Sequence, residues 1–135
     1  MTNTDIVRGY VAAVQRFDAD AVAALLHPAM KFHELPNRIR PAGGVDDLAA
    51  MMAGLRRAAE GKVLSRQNYA IGDIIAADDR VVVEARWEGV VAIPIGRLQP
   101  GDTMVAHICM MFRLVDGRII EQRNYDCYEE FSATA

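Results

Sequence analysis

TMVAHICMMFRLVDGRIIEQRNYDCY, from Thr103 to Tyr128, decides the fold. Its first half, Thr103 to Val115, is an unbroken strand-like run. Asp116-Gly117 follows, a dipeptide that accepts the positive φ of a two-residue hairpin turn. The chain therefore returns as an antiparallel partner from Arg118 to about Tyr128. On that returning strand Gln122, Asn124 and Asp126 stand at every second position, so alternation puts all three on one face. That face is either a solvated edge or the polar floor of a pocket. On the outgoing strand neither face suits water, with Val105, His107, Cys109 and Met111 on one side and Met104, Ala106, Ile108, Met110 and Phe112 on the other. One side must meet a partner. The reading taken puts the His107 face in a cavity and the methionine face in a dimer interface, with the inverse assignment left open.

Upstream, Arg80 to Val91 alternates cleanly, with Val81, Val83, Ala85 and Trp87 pointing one way and Glu84, Arg86 and Glu88 the other. The strand before it, Ser65 to Ala76, joins it through the turn AADDR, and the loop AIPIGRLQPGD leads on to Thr103. The N-terminal part is helical. Ile6, Val7, Tyr10, Val11, Val14 and Phe17 form the stripe of an amphipathic helix opened by Thr2 or Thr4. A short second helix, AVAALLHP, turns Val22, Leu25 and Leu26 inward and stops before Pro28. MKFHELP reads as a short strand ending at Pro36, and Gly43-Gly44 introduce a third helix carrying Val45, Leu48, Met51, Met52 and Leu55, closed by Gly61.

The order is helix, helix, strand, helix, then four strands in meander. It predicts an α+β domain, a curved antiparallel or mixed sheet wrapped around three N-terminal helices, forming a cone with an internal cavity. With 135 residues, 52% hydrophobic and 24% charged, and with no repeat or linker, the expectation is one domain over residues 1–135.

A net charge of -3, with Arg38/Arg40 and Arg56/Arg57 as the basic pairs, argues against nucleic acid as a partner. Two cysteines without CxxC spacing, Cys109 and Cys127, give neither a disulfide framework nor a zinc cage, and a cytoplasmic location is expected. No apolar run approaches the ~20 residues of a membrane span, so no membrane partner is expected. A metal-dependent hydrolase on His33, Glu34, His107 and Asp126 lacks diagnostic ligand spacing, and no metal or cofactor is expected.

The order of elements, together with FHELPNRIRPAGG, TMVAHICMMF and DGRIIEQRNYDCYEEF, resembles the SnoaL-like members of the nuclear transport factor 2-like superfamily, over about Thr4 to Phe131. The resemblance implies a ketosteroid isomerase-like cone and a range of functions, from isomerases, cyclases, epoxide hydrolases and dehydratases to plain binding domains. Laid along ketosteroid isomerase, Tyr10 falls on the family's oxyanion-hole tyrosine and Glu34 on its proton-shuttling carboxylate. The second oxyanion donor, a protonated aspartate, falls on Cys109, and a thiol is a weak donor. In SnoaL-like cyclases a carboxylate on the last strand acts as general acid and base. Its nearest match here is Asp126, with Cys127 the alternative one residue away.

Those positions give the candidate site. Glu34, Asp126 and His107 are the candidate acid/base residues, and Tyr10, Trp87, Tyr69, Asn124 and Cys109 line the ligand. Asn37 and Arg38 stand at the mouth. The expected function is acid/base isomerisation or cyclisation of a small apolar carbonyl-type metabolite, with a homodimer formed through the sheet. The alternative is a non-catalytic ligand-binding or dimerisation domain on the same cone.

Overall fold

The computed structural model describes residues 1–133. Helix α1 (Asn3–Gln15) starts at a capping box, in which Thr2 Oγ1 accepts from the Asp5 N–H and Asp5 Oδ2 accepts from the Thr2 N–H, both at 3.1 Å. Helix α2 (Ala19–Leu25) is capped by Asp18. Strand β1 (Leu26–Glu34) follows directly, so Leu26 is a buried strand residue rather than the inward end of the helix. Helix α3 (Leu48–Ala58) begins later than Gly43-Gly44 predict. Gly44–Asp47 instead forms a short strand, β2, with Val45 58% exposed, and the Asp47 carboxylate caps α3 through the Ala50 N–H.

Strands β3 (Leu64–Ala77), β4 (Arg80–Val91), β5 (Thr103–Val115) and β6 (Arg118–Tyr128) make the predicted meander. Asp116 (φ 52) and Gly117 (φ 74) turn between β5 and β6. The sheet has six strands in the order β2-β1-β6-β5-β4-β3, antiparallel throughout except that β1 runs parallel to β6. This parallel seam pairs Phe32 with Gln122 and Glu34 with Asn124. Paired residues share a face, so both carboxamides of β6 meet β1 on the side that the helices cover. Pro28 lies where β1 is bulged against β6 and extends beyond β2, so its missing N–H costs no ladder bond.

Helix α1 lies against β3 and β4, and α3 lies against β1 and β2. Between helices and sheet, Val7, Val22, Met30, Val81, Val83, Phe112 and Ile119 are fully buried. On β5 the buried set is Met104, Ala106, Ile108, Met110, Phe112 and Leu114. The methionine face is therefore the interior, and the His107 face is the outside of the sheet. Neighbouring strands enforce this choice: Glu84 and Arg86 of β4 stand opposite Cys109 and His107, and Arg123 of β6 stands opposite Met111. Turned toward the helices, that face would put all three charges into the apolar core.

Candidate active site

The inner face of β6 is polar where its neighbours are apolar. Gln122 and Asn124 are the buried polar residues of the core, 3% and 8% exposed, and Asp126 follows on the same face. They are joined to α1. The Tyr10 O–H donates to Gln122 Oε1 at 2.5 Å, and Gln122 Nε2 donates to Asn124 Oδ1 at 2.8 Å. The Tyr10 ring is held edge-on against Phe112, with centroids 5.6 Å apart.

Glu34 reaches the same face from β1, its side chain 17% exposed. Asn37 Nδ2 donates to its Oε2 at 2.8 Å, and Arg40 lies 3.4 Å from its Oε1 while bridging to Asp46 at 3.0 Å. Arg40 can lie there because residue 44 is glycine, where a Cβ would overlap the guanidinium. Asp126 is held differently. Its Oδ1 is buried with no hydrogen-bond partner among the described residues. Burial pushes its carboxyl up to about 6, the Glu34 charge pushes the same way, and the Asn124 side chain opposes them. One carboxylate is clamped by Asn37 and Arg40; the other sits at the edge of ionisation near neutral pH.

An aromatic wall stands beside them. Tyr69 of β3 pairs with Trp87 of β4, and Trp87 packs edge-on against Tyr128 at 6.0 Å. Gly89 makes room, since a Cβ there would overlap the Trp87 ring. Trp87 Nε1 donates to Gln67 Oε1, and Gln67 Nε2 donates to the Val14 carbonyl, tying this wall to the end of α1. Burial, with the nearby Asp126 charge, raises the Tyr69 and Tyr128 phenols well above their ordinary range. Neither hydroxyl has a hydrogen-bond partner among the described residues. A groove of 620 Å³ opens between α1, α3 and the ends of β1 and β3, lined by Phe32, Leu55, Gln67 and Arg40. It ends on the guanidinium that holds Glu34.

The structure thus brings together Glu34, Asp126, Asn124, Tyr10, Tyr69 and Trp87. It separates His107 and Cys109 from them. His107 is exposed on the outer face, with Nε2 2.8 Å from Glu129 Oε2, and it lines a shallow 420 Å³ groove there with Cys109, Tyr125 and Cys127. Burial, and then the Glu84 charge opposite, raises the Cys109 thiol. The placement of His107 and Cys109 in the inner cavity is corrected by the sheet pairing described above. Arg38 bridges to Glu130 and donates to the Tyr128 carbonyl, whereas Asn37 turns in to Glu34. Sequence reading overlooked Arg40 and Tyr128.

The SnoaL-like domain family matches residues 7–122. The chain belongs to this family. No curated protein matches it in sequence. Among solved structures it is similar to IdmH of Streptomyces antibioticus, a proposed polyketide cyclase, at 20% identity and TM-score 0.77, covering 93% of this chain and 92% of that one. It is also similar to an LEH-like epoxide hydrolase of M. tuberculosis, at 23% identity and TM-score 0.69 over 94% and 82% of the two chains. AclR of Streptomyces galilaeus, a proposed hydroxylase, matches at 18% identity and TM-score 0.72 over 92% and 77%. At these identities the SnoaL-like likeness is one of fold. Among the described residues no group of three or more His, Cys, Asp and Glu side chains is arranged to hold a metal ion, and no helix is long and apolar enough to cross a membrane.

Proposed function

We propose that this SnoaL-like chain is a cofactor-independent acid/base enzyme, an isomerase or cyclase acting on a small apolar carbonyl-type metabolite. The observation that carries the reading is Asp126, a half-buried carboxyl whose Oδ1 is enclosed without a hydrogen-bond partner among the described residues, poised at about 6 beside Glu34. As a carboxylate, Asp126 removes a proton from the carbon next to the substrate carbonyl. It then returns that proton to another carbon of the same enolate or, once the enolate carbon has closed a ring on a second carbonyl, to the alkoxide oxygen that closure leaves. Tyr69 and Tyr128 stay protonated at neutral pH and supply O–H donors for the enolate oxygen that forms. Glu34 supplies the negative charge that keeps Asp126 basic enough to take the proton.

Tyr10 does not serve as the oxyanion donor in this scheme, since its hydroxyl is buried and given to Gln122. That same observation favours the second reading, a non-catalytic ligand-binding domain, over steroid-type isomerisation. A proton-exchange assay separates the two. Apolar ketones and 1,3-dicarbonyl compounds are incubated with the protein in D2O, and deuterium entering the carbon beside the carbonyl is followed by NMR. Exchange catalysed by the protein and lost in Asp126→Asn supports the enzyme; binding with no exchange above the buffer rate sinks it. The outer sheet face, where Met111 and Tyr125 are 38% and 41% exposed, is the surface we assign to a homodimer. Light scattering of Met111→Glu tests this, since a dimer through that face falls to monomer.

A further inference from the structure

We infer that Tyr10 is a positioning residue, whose buried hydroxyl fixes the orientation of the Gln122 and Asn124 amides so that Asn124 turns an N–H, not its carbonyl, toward Asp126. A phenol can donate or accept, but among the described residues Tyr10 has Gln122 as its single hydrogen-bond partner, and it is 2% exposed. Accepting from Gln122 would leave the phenol proton buried without a partner, so donation to Oε1 is the arrangement that satisfies it. Gln122 must then point its NH2 group along the strand, and it donates to Asn124 Oδ1. With its oxygen taken, Asn124 has only its own NH2 left to offer the next residue on that face. That residue is Asp126, and the Asn124 side chain favours its charged form.

The direction of the chain matters because an amide has two nearly isosteric ends. Reversed, the same residues would aim an Asn124 lone pair at a carboxylate already facing Glu34. The other groups around Asp126 cannot correct this. Tyr69 of β3 and Tyr128 of β6 are neutral phenols, Ile108 of β5 is apolar, and Arg40 is held away by Glu34 and Asp46. A single hydroxyl on α1 therefore decides whether Asp126 sees a donor or an acceptor, four residues along the strand from Gln122, the link it touches.

The test is a ¹³C NMR titration of the Asp126 carboxyl in the full chain without ligand. The wild-type midpoint falls near 6. Tyr10→Phe removes the donor and moves the midpoint upward by about half a pH unit or more. Gln122→Met, which cuts the chain one link further on, moves it the same way and decides the matter if Tyr10→Phe fails to fold. Phe112→Leu disturbs the packing of the Tyr10 ring while keeping the hydroxyl, so it lowers the Tm and leaves the midpoint in place. An unmoved midpoint in a folded Tyr10→Phe protein overturns the inference, and so does an equal shift in Phe112→Leu. The inference takes its meaning from Asp126 as the working group, but it is read in the free protein. Failure of the proton-transfer reading would show up separately, as absent deuterium exchange.

Discussion

The two faces of β5 differ by one residue of register and by nearly everything else. Phe112 on the inner face is 1% exposed against Tyr10, whereas Met111 beside it is 38% exposed. Both faces are apolar enough to be core. What separates them is the strands on either side: inward, β5 meets Val83, Ala85 and Trp87 of β4; outward, it meets Glu84 and Arg86. The polar residues divide by the same rule. Gln122 and Asn124 are inside with specific partners and Asp126 follows on the same face, while His107, Arg86 and Glu129 are outside in water. A strand's own pattern shows that two faces exist; its neighbours decide which one the protein buries.

The sharpest break between the faces should come from chemistry. Asp126→Asn is expected to lower catalysed deuterium exchange by about 10²-fold or more, the usual loss on removing a general base. His107→Ala, on the other face, should leave it unchanged, and NMR-monitored exchange checks both. Stability follows. Phe112→Ala should cost about 3–5 kcal/mol, and Met111→Ala within about 0.5 kcal/mol in the monomer, as urea denaturation would show.

A pH dependence comes next. Asp126 titrates higher folded than unfolded, so the folded state holds its proton more tightly. The contribution to stability is intact below the ordinary value of 3.8 and is lost as pH rises through about 6. Asp126→Asn removes this loss. Denaturation at pH 4 and pH 8 should find the variant gaining on wild type at the higher pH, by on the order of 1–2 kcal/mol after solvent screening. Smallest is the effect of Glu34→Gln, which takes away a negative neighbour and lowers the Asp126 midpoint in the carboxyl titration. A midpoint that stayed in place would mean the two carboxylates do not sense each other.

Much of this was legible in the sequence. The alternation of Val81, Val83, Ala85 and Trp87 against Glu84, Arg86 and Glu88 gives β4 its bounds, and Asp116-Gly117 fixes the last hairpin. Gln122, Asn124 and Asp126 were readable as a single face. Strand β2 was not: Gly44–Asp47 has little strand propensity, and it is a strand only because β1 offers it an edge. Leu26 was taken for helix because a Leu-Leu pair suits either period, and pairing with Ile119 decides it. His107 was misplaced because β5 was weighed alone. Set across from β4, both pairs on its face between Glu84 and Arg86 carry a charge. The Arg40 clamp depends on a missing Cβ at Gly44, and no residue type or spacing announces that.

The parallel seam between β1 and β6 has a consequence in time. Glu34 arrives with the first strand and Asp126 with the last, and the bond that organises them joins Tyr10 to Gln122 across 112 residues. On the ribosome, the helices, β1 and the β3–β4 hairpin emerge before Gln122 and Asp126, the groups of β6 that Tyr10 and Glu34 face in the folded protein. Such long-range closure comes late in folding. The candidate site and the completed sheet are therefore one event, and a nascent chain that has not yet delivered β6 carries half of that site.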